Sequence, residues 1–315
     1  MACFSTLFRS FHTPLFAAML MLWLGGCAAP KGATTPTPGV EVPAAVLPVR
    51  DIDVFDGHSG ARVTWDRLVI SAASAQAVLV GENHGHVLGL AAAATLFSDT
   101  LDRANNAALA MEFFERDQQL GLDDYLTGLT DEAAFRQRTR RTDSSYPPGH
   151  RAMVERAREA NVPVIAANAP RPYVRLARTQ GYDRLRAMTP EQQRMFRIPD
   201  ALPEGRYRAD FNAVMGANTA DPSTVSGLDA VFRSQSLWDW TMAESVATAI
   251  GRGRAPVFLV IGRFHTDFYG GTPIALRLLR PGVRITTVSF VDAPSNVLRD
   301  EDRGRADFVI YVGGR

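Results

Sequence analysis

An α/β fold with a mostly parallel central sheet flanked by helices, plus a helical addition, is predicted by three observations. Short apolar runs alternate with helix-patterned stretches along most of the chain. Four of those runs are continuously apolar, as strands covered on both faces are. Residues 170–250 read as mainly helical, interrupted by a Pro/Gly/Asn-rich stretch from Ile198 to Gly227. Alternating strands and helices pair in parallel through right-handed crossovers. With 315 residues, 46% of them hydrophobic, the chain can bury a sizeable core in one or two domains.

The N-terminus reads as residues to be removed and a spacer to be kept. Arg9 supplies a positive start, and Pro14 to Leu24 is an apolar stretch too short for a membrane span. Leu24-Gly25-Gly26-Cys27 resembles the lipobox of bacterial lipoproteins, in which cleavage precedes a cysteine that carries lipid. Residues 1–26 are therefore expected to be a lipoprotein signal peptide, with Cys27 as the lipidation site. Cys3 leaves with the signal, so Cys27 is the one cysteine kept, and no intrachain disulfide or multi-cysteine metal site can form. Ala28, rather than aspartate, follows Cys27; in such lipoproteins that permits delivery to the outer membrane. Residues 27–48 hold Pro30, Pro36, Pro38, Pro43 and Pro48 and read as a tether. The expectation is a lipid-anchored protein of the bacterial cell envelope. Lys and Arg number 34 against 33 Asp and Glu, so no basic excess points to nucleic acid.

Residues 49–315 form the folded part. Asp51 to Phe55 alternates like a strand, and the turn Asp56 to Gly60 followed by Ala61-Arg62-Val63 suggests a hairpin. Thr64 is a fair N-cap for a helix carrying Trp65, Leu68, Val69 and Ala72 on one side. Ala77 to Val80 is the first buried strand, ending at Gly81-Glu82-Asn83-His84-Gly85-His86. Leu88 to Leu101 is Ala/Leu-rich and helical. Ala107 to Met111 is a second apolar run ending at Glu112. Residues 115–141 are helical, broken at Gly121 and Gly128, and close on Arg136, Arg138, Arg140 and Arg141. Residues 150–160 form another helix. Val162 to Ala167 is a third run, ending at Asn168. Gln235 to Ala243 opens into a helix ending near Gly251. Pro256 to Ile261 is the fourth run, leading through Gly262 to Arg263-Phe264-His265. Arg284 to Val291 and Phe308 to Val312 complete the strands.

Four strands thus end on Glu82/His84, Glu112, Asn168 and His265. Open parallel sheets bind ligands in the crevice at their carboxyl edge, and helix capping alone would not be expected to put two Glu and two His there. Glu82, His84, Glu112 and His265 are the acid–base candidates. Such a set can hold Zn, Mn or Co through Glu82, His84, His86 and His265, leaving a carboxylate as base for a metal-activated water. It can equally work without metal, one carboxylate orienting a histidine. Asn168, Arg171 and Asp239 are further crevice candidates. Walker and G-x-S-x-G motifs are absent, and Gly251-Arg252-Gly253 precedes a strand, so nucleotide, redox-cofactor and serine-hydrolase readings are disfavoured. A second candidate is Tyr146-Pro147-Pro148-Gly149-His150. Tyr146 and His150 carry haem-iron ligand groups, and Arg140 and Arg141 could pair with propionates. The same residues also read as a turn before a helix, with the arginines as its solvated face.

Taken together, Val80-Gly81-Glu82-Asn83-His84, Met111-Glu112-Phe113-Phe114-Glu115-Arg116, Ala166-Ala167-Asn168-Ala169-Pro170-Arg171, Gln235…Asp239…Met242-Ala243 and Gly262-Arg263-Phe264-His265 resemble the ChaN family of haem-binding lipoproteins. That family lies in the Tiki/TraB and erythromycin-esterase-like superfamily. The resemblance implies an α/β domain with a helical addition, haem in a surface groove or between the subunits of a homodimer, and a role in haem or iron uptake. It also implies a tyrosine on the iron, for which Tyr146 is the choice, and an outer-membrane haem or iron receptor as partner. Relatives in the superfamily hydrolyse substrates with strand-end Glu and His, which Glu82, Glu112 and His265 match. Two functions are therefore expected to compete: haem binding, and metal-dependent hydrolysis of an ester or peptide bond.

Overall fold

Residues Val54–Asp56 (β1) and Arg62–Val63 (β2) form the antiparallel hairpin expected from the Asp56-Gly57 turn. Asp56 holds that turn by accepting the N–H groups of His58 (3.1 Å) and Ser59 (2.8 Å). Helix Trp65–Ser74 (α1) starts at Thr64, whose side chain accepts from the Arg67 N–H. The computed structural model describes residues 49–215 and 222–313, apart from the side chains of 222–226. The signal peptide, Cys27 and the tether lie outside the described residues.

The remaining strands are Ala77–Glu82 (β3), Ala108–Glu115 (β4), Val164–Asn168 (β5), Val257–Gly262 (β6), Ile285–Val291 (β7) and Phe308–Tyr311 (β8). They make one eight-stranded sheet in the order β2-β1-β8-β7-β3-β6-β4-β5. The pairs from β8 through to β5 are parallel, and only the β1–β2 and β1–β8 pairs are antiparallel. The four continuously apolar runs are thus neighbours, β3-β6-β4-β5, and their carboxyl ends share one edge. β4 pairs with β6 only as far as Met111, and its register to β5 shifts between Met111 and Glu115. Glu112 and Phe113 therefore project beyond the regular ladder.

Helices cover both faces, which is why these strands carry no polar alternation. One face buries Val78, Val80, Leu109, Met111, Phe258 and Val260 under α1, Val87–Leu101 (α2), Gln119–Leu126 (α3), Glu132–Arg138 (α4) and Pro148–Glu159 (α5). The alternate residues Leu79, Ala108, Ala110, Leu259 and Ile261 face the other way. Each fully buried side chain of this size contributes on the order of 1.5–3 kcal/mol, which lets the sheet edge carry buried charge. Helices Arg171–Arg186 (α6), Pro190–Gln193 (α7) and Arg206–Val214 (α8) precede the long helix Pro222–Gly251 (α9). These four form the helical addition, with two small cores around Phe196 and Phe232. Trp240, Met242 and Val246 of α9 also press on the second sheet face, as does Gly271–Leu279 (α10).

Two local expectations shift. Gly121 does not break its helix but lies buried inside α3, and the chain leaves the helix at Leu126, ahead of Gly128. The interruption expected from Ile198 to Gly227 contains α8. Among the described residues no helix is long and apolar enough to cross a membrane.

Candidate functional site

β3 delivers Glu82 to the sheet edge with its side chain fully buried. A carboxylate without water needs donors, and two imidazoles supply them. Oε1 lies 3.1 Å from His84 Nδ1, and Oε2 lies 2.8 Å from His150 Nε2, which α5 brings in. An ionised carboxylate only accepts, so both rings donate N–H to it. Burial by itself would raise the Glu82 pKa, but the bonds from His150 and His84 hold it below the usual carboxylate range. The bond to Glu82 raises the His84 pKa against a smaller effect of burial. The two rings then diverge. His84 has a side chain 58% exposed, whereas His150 is 2% exposed, packs on Phe113 with ring centroids 3.8 Å apart, and among the described residues its buried Nδ1 has no partner.

A second carboxylate–imidazole pair stands beyond the end of β6, the strand next to β3. α9 buries Asp239 completely, and Oδ1 accepts from His265 Nδ1 (2.7 Å) and the Thr272 hydroxyl (2.9 Å). Oδ2 accepts from the Tyr207 hydroxyl at 2.6 Å. Gly271, at φ +39°, makes this approach possible, because a methyl group there would stand 2.5 Å from Asp239 Oδ1. On its other side, His265 Nε2 lies 3.7 Å from Glu112 Oε1. Burial lowers the His265 pKa, but Asp239 and, less strongly, Glu112 outweigh it and push it up to about 8. Glu112 Oε2 accepts the Gly262 N–H at 2.5 Å, and Asn168 Nδ2 donates to the Glu112 carbonyl at 3.1 Å. Gly262 joins the two corners: a methyl group there would lie 2.9 Å from the His84 ring and 3.5 Å from Glu112 Oε2.

The cleft between these groups encloses about 330 Å³, with Glu82, His84, Glu112, His150, Asn168 and Trp238 in its wall. Phe113, Pro147, Arg141 and Arg171 line it as well. Arg141 donates only to neutral acceptors, the Thr139 carbonyl and Gln118 Oε1, and among the described residues has no ion pair within 4 Å. The Arg171 side chain is 88% exposed and lies 3.4 Å from Glu115. The cleft thus offers an oriented imidazole, two guanidinium groups and aromatic surface in one place.

Several sequence candidates stand elsewhere. His86 caps α2, its Nδ1 accepting from the Gly89 N–H and its Nε2 lying 3.1 Å from the Gly313 carbonyl. It does not line the cleft. Among the described residues, no three His, Cys, Asp or Glu side chains are grouped to hold a metal, so the set Glu82, His84, His86 and His265 is corrected. Glu82 is tied to His84 and His150, His86 to the α2 N-terminus, and His265 to Asp239. Tyr146 does not line the cleft. It is 2% exposed, edge-on to Phe114 and Phe135 and under Arg136, with its hydroxyl buried and, among the described residues, unpartnered. Burial pushes its pKa far up, away from the phenolate that binds iron. Arg140 is exposed and paired with Asp117 at 3.0 Å, outside the cleft. Sequence reasoning missed Phe113, Trp238 and Tyr207 as site residues. Trp238 and Phe113 were adjacent to singled-out residues; Tyr207 had no signal, since it lies in the expected interruption.

Comparison with known proteins bears on this arrangement. No curated protein matches the chain at a significant level. Among solved structures, that of cofacial haem binding to ChaN of Campylobacter jejuni shares the fold with a TM-score of 0.63 at 14% identity, covering 82% of this chain and 96% of that one. The type III effector HopBA1 gives 0.44 at 14% identity over 85% and 98% of the two chains. A mutant erythromycin esterase, EreC, in its open conformation gives 0.43 at 12% identity over 82% of each. The family described as haem-binding uptake, Tiki superfamily, ChaN matches residues 68–276, about two thirds of the sequence. The chain belongs to the ChaN haem-binding uptake family of the Tiki superfamily.

Proposed function

We propose that this chain binds haem at the cleft and serves haem or iron handling in the bacterial envelope, tethered through Cys27. The observation that carries the reading is the oriented, 58% exposed His84 at the mouth of a cleft that also presents Arg141 and Arg171. Haem is an apolar disc with two carboxylates and an iron that takes an axial nitrogen or oxygen ligand. The chemistry of the donor set suits it. Nδ1–H of His84 on Glu82 puts the ring's lone pair on Nε2, the arrangement in which carboxylates orient metal-ligating histidines. Phe113 and Trp238 supply aromatic surface, and the two arginines suit propionates. Bound haem would supply the iron that the protein carries. A volume of about 330 Å³ is at the small end for ligand sites, so the disc would lie partly outside, where a second copy could cover it. Lipid anchoring, the outer membrane, the homodimer and a receptor partner belong to this proposal; the first two rest on the Leu24–Ala28 motif and the last two on the family resemblance.

Hemin titration of the full chain, followed at the Soret band, tests it. A saturable shift is expected, weakened by roughly tenfold or more in His84→Ala and unchanged in Tyr146→Phe. A wild-type chain that gives no saturable shift, or a His84→Ala chain that titrates like wild type, overturns it.

One observation favours a second reading, metal-free ester hydrolysis at the same cleft. Glu112, His265 and Asp239 form an acid–base line that haem carriage does not require, with the His265 pKa pushed up to about 8 by Asp239 and Glu112. Turnover of p-nitrophenyl esters lost in both His265→Gln and Glu112→Gln is the expected result; an unaltered rate removes this reading.

A further inference from the structure

β5 is the last strand of the sheet, and an open edge normally exposes unpaired backbone groups. The Pro163 carbonyl accepts from the Leu109 N–H of β4 at 3.0 Å. Alternation along the strand therefore turns the Val164 carbonyl and the Ala166 N–H outward. Both are held by one side chain. Gln119 Nε2 donates to the Val164 carbonyl at 2.9 Å, and Gln119 Oε1 accepts the Ala166 N–H at 2.7 Å. These two groups flank Ile165, and they are the pair that one residue of a parallel neighbouring strand would engage. The Gln119 amide thus stands in for a single residue of a missing ninth strand.

The space beside it is large. A groove of about 1260 Å³ runs along Pro163 to Ala166 and on between α9 and the α6–α7 region. Its lining holds five arginines against three carboxylates, a net positive wall. Arg116 and Arg186 have close carboxylate partners, Glu244 at 3.0 Å and Asp183 at 2.8 Å. Arg197 reaches Glu244 and Asp200 only at 3.9 Å, and among the described residues its buried Nε has no partner. Among the described residues, exposed Arg194 and Arg252 have no carboxylate within ion-pair distance. Met195 and Ile198 are half-buried and add apolar surface between the charges.

We propose that this groove is a docking site for an extended acidic peptide that adds to β5 as a further strand and displaces the Gln119 amide. Main-chain bonds to Val164 and Ala166 supply affinity, as in other strand additions. Side chains alternating along the peptide set specificity, acids toward Arg194 and Arg252, apolar residues toward Met195 and Ile198. The site is separate from the cleft and does not depend on the haem reading.

The test uses fluorescein-labelled, acetylated octapeptides and anisotropy with the full chain at low salt. The (Glu-Val)4 peptide is expected to bind and (Lys-Val)4 is not. A (Glu-Val)4 peptide N-methylated at every backbone nitrogen keeps the charge and side chains without the N–H groups that a strand needs, and it is expected not to bind. Arg194→Glu and Arg252→Glu, both at exposed positions, should each weaken (Glu-Val)4 roughly fivefold. Gln119→Ala should tighten it severalfold, because the edge is already vacant. Equal binding of the N-methylated peptide, or full competition by inorganic phosphate, would identify a plain anion-binding surface and overturn the proposal. Failure of (Glu-Val)4 to bind overturns it as well.

Discussion

Asp239 and Glu82 are both buried carboxylates bound to imidazoles at one sheet edge, yet their surroundings differ. Asp239 is saturated: Tyr207, Thr272 and His265 fill its acceptor sites, and all three come from well-packed elements. Glu82 is shared between a ring that faces the cleft and a ring with an unpartnered buried nitrogen. A saturated carboxylate fixes one geometry, and the Asp239 corner is accordingly where the edge gains rigidity. The Glu82 corner keeps one imidazole accessible, which is what binding at the cleft requires.

The largest expected effect comes from breaking the saturated corner. Asp239→Ala leaves the His265 imidazole, the Tyr207 hydroxyl and the Thr272 hydroxyl without their common acceptor. Losing one partner of a buried charged pair costs about 3–5 kcal/mol, and urea unfolding should show a loss in that range. A loss below about 1 kcal/mol would mean that the corner is not the rigid one.

Next in size is the pH dependence. His265 has a folded pKa of about 8 against about 6.5 for a free histidine. Raised in the folded state, it contributes stability that is full below pH 6.5 and lost as pH rises through 8. The difference corresponds to about 2 kcal/mol. Glu82 acts in the opposite direction: its depressed pKa contributes stability that is lost as pH falls below the ordinary carboxylate range. Unfolding free energies measured from pH 2 to 9 should therefore fall at both ends. His84 shifts the same way as His265, so His265→Gln should remove most of the alkaline decline while the acid one remains. Survival of the full alkaline decline in that variant would assign it to the Glu82 corner.

How far the sequence exposes these corners depends on the range of the forces involved. The four apolar strands are legible because a strand buried on both faces must be continuously apolar, and the polar residue that ends each run marks the sheet's carboxyl edge. The order β3-β6-β4-β5 is not legible, since crossovers through helices of similar length can reach several neighbours. Period-two spacing from Glu82 to His86 suggests a shared face, but only if the backbone stays extended. Here β3 ends at Glu82 and the chain turns at Gly85, so His86 lands on the α2 N-terminus. His150 reaches Glu82 across 68 residues of sequence. Its residue type could be read, but its approach could not. The same holds for Tyr207 and Asp239, which α8 and α9 bring together.

A smaller effect separates binding from stability at the open corner. His84→Ala takes one of two donors from the buried Glu82 carboxylate and should cost about 1–3 kcal/mol in urea unfolding, still below Asp239→Ala, because His150 remains. Loss of hemin affinity in the same variant would then be a binding effect and not a folding one. A stability loss comparable to that of Asp239→Ala would erase the distinction between the two corners.

The smallest effect is expected at Tyr146, the residue that the family resemblance singles out for iron. Its hydroxyl is buried between Phe114 and Phe135 and among the described residues has no hydrogen-bond partner. An unpaired buried hydroxyl costs desolvation and returns nothing, and phenylalanine keeps the ring contacts and the stacking of Arg136. Tyr146→Phe should therefore be neutral or stabilising by up to about 1 kcal/mol, with an unchanged hemin spectrum. A spectrum that changes would require the Tyr146 ring to leave the core when haem binds. In that case the Phe114–Phe135 cluster, and not the Glu82 corner, would be the part of the site that moves.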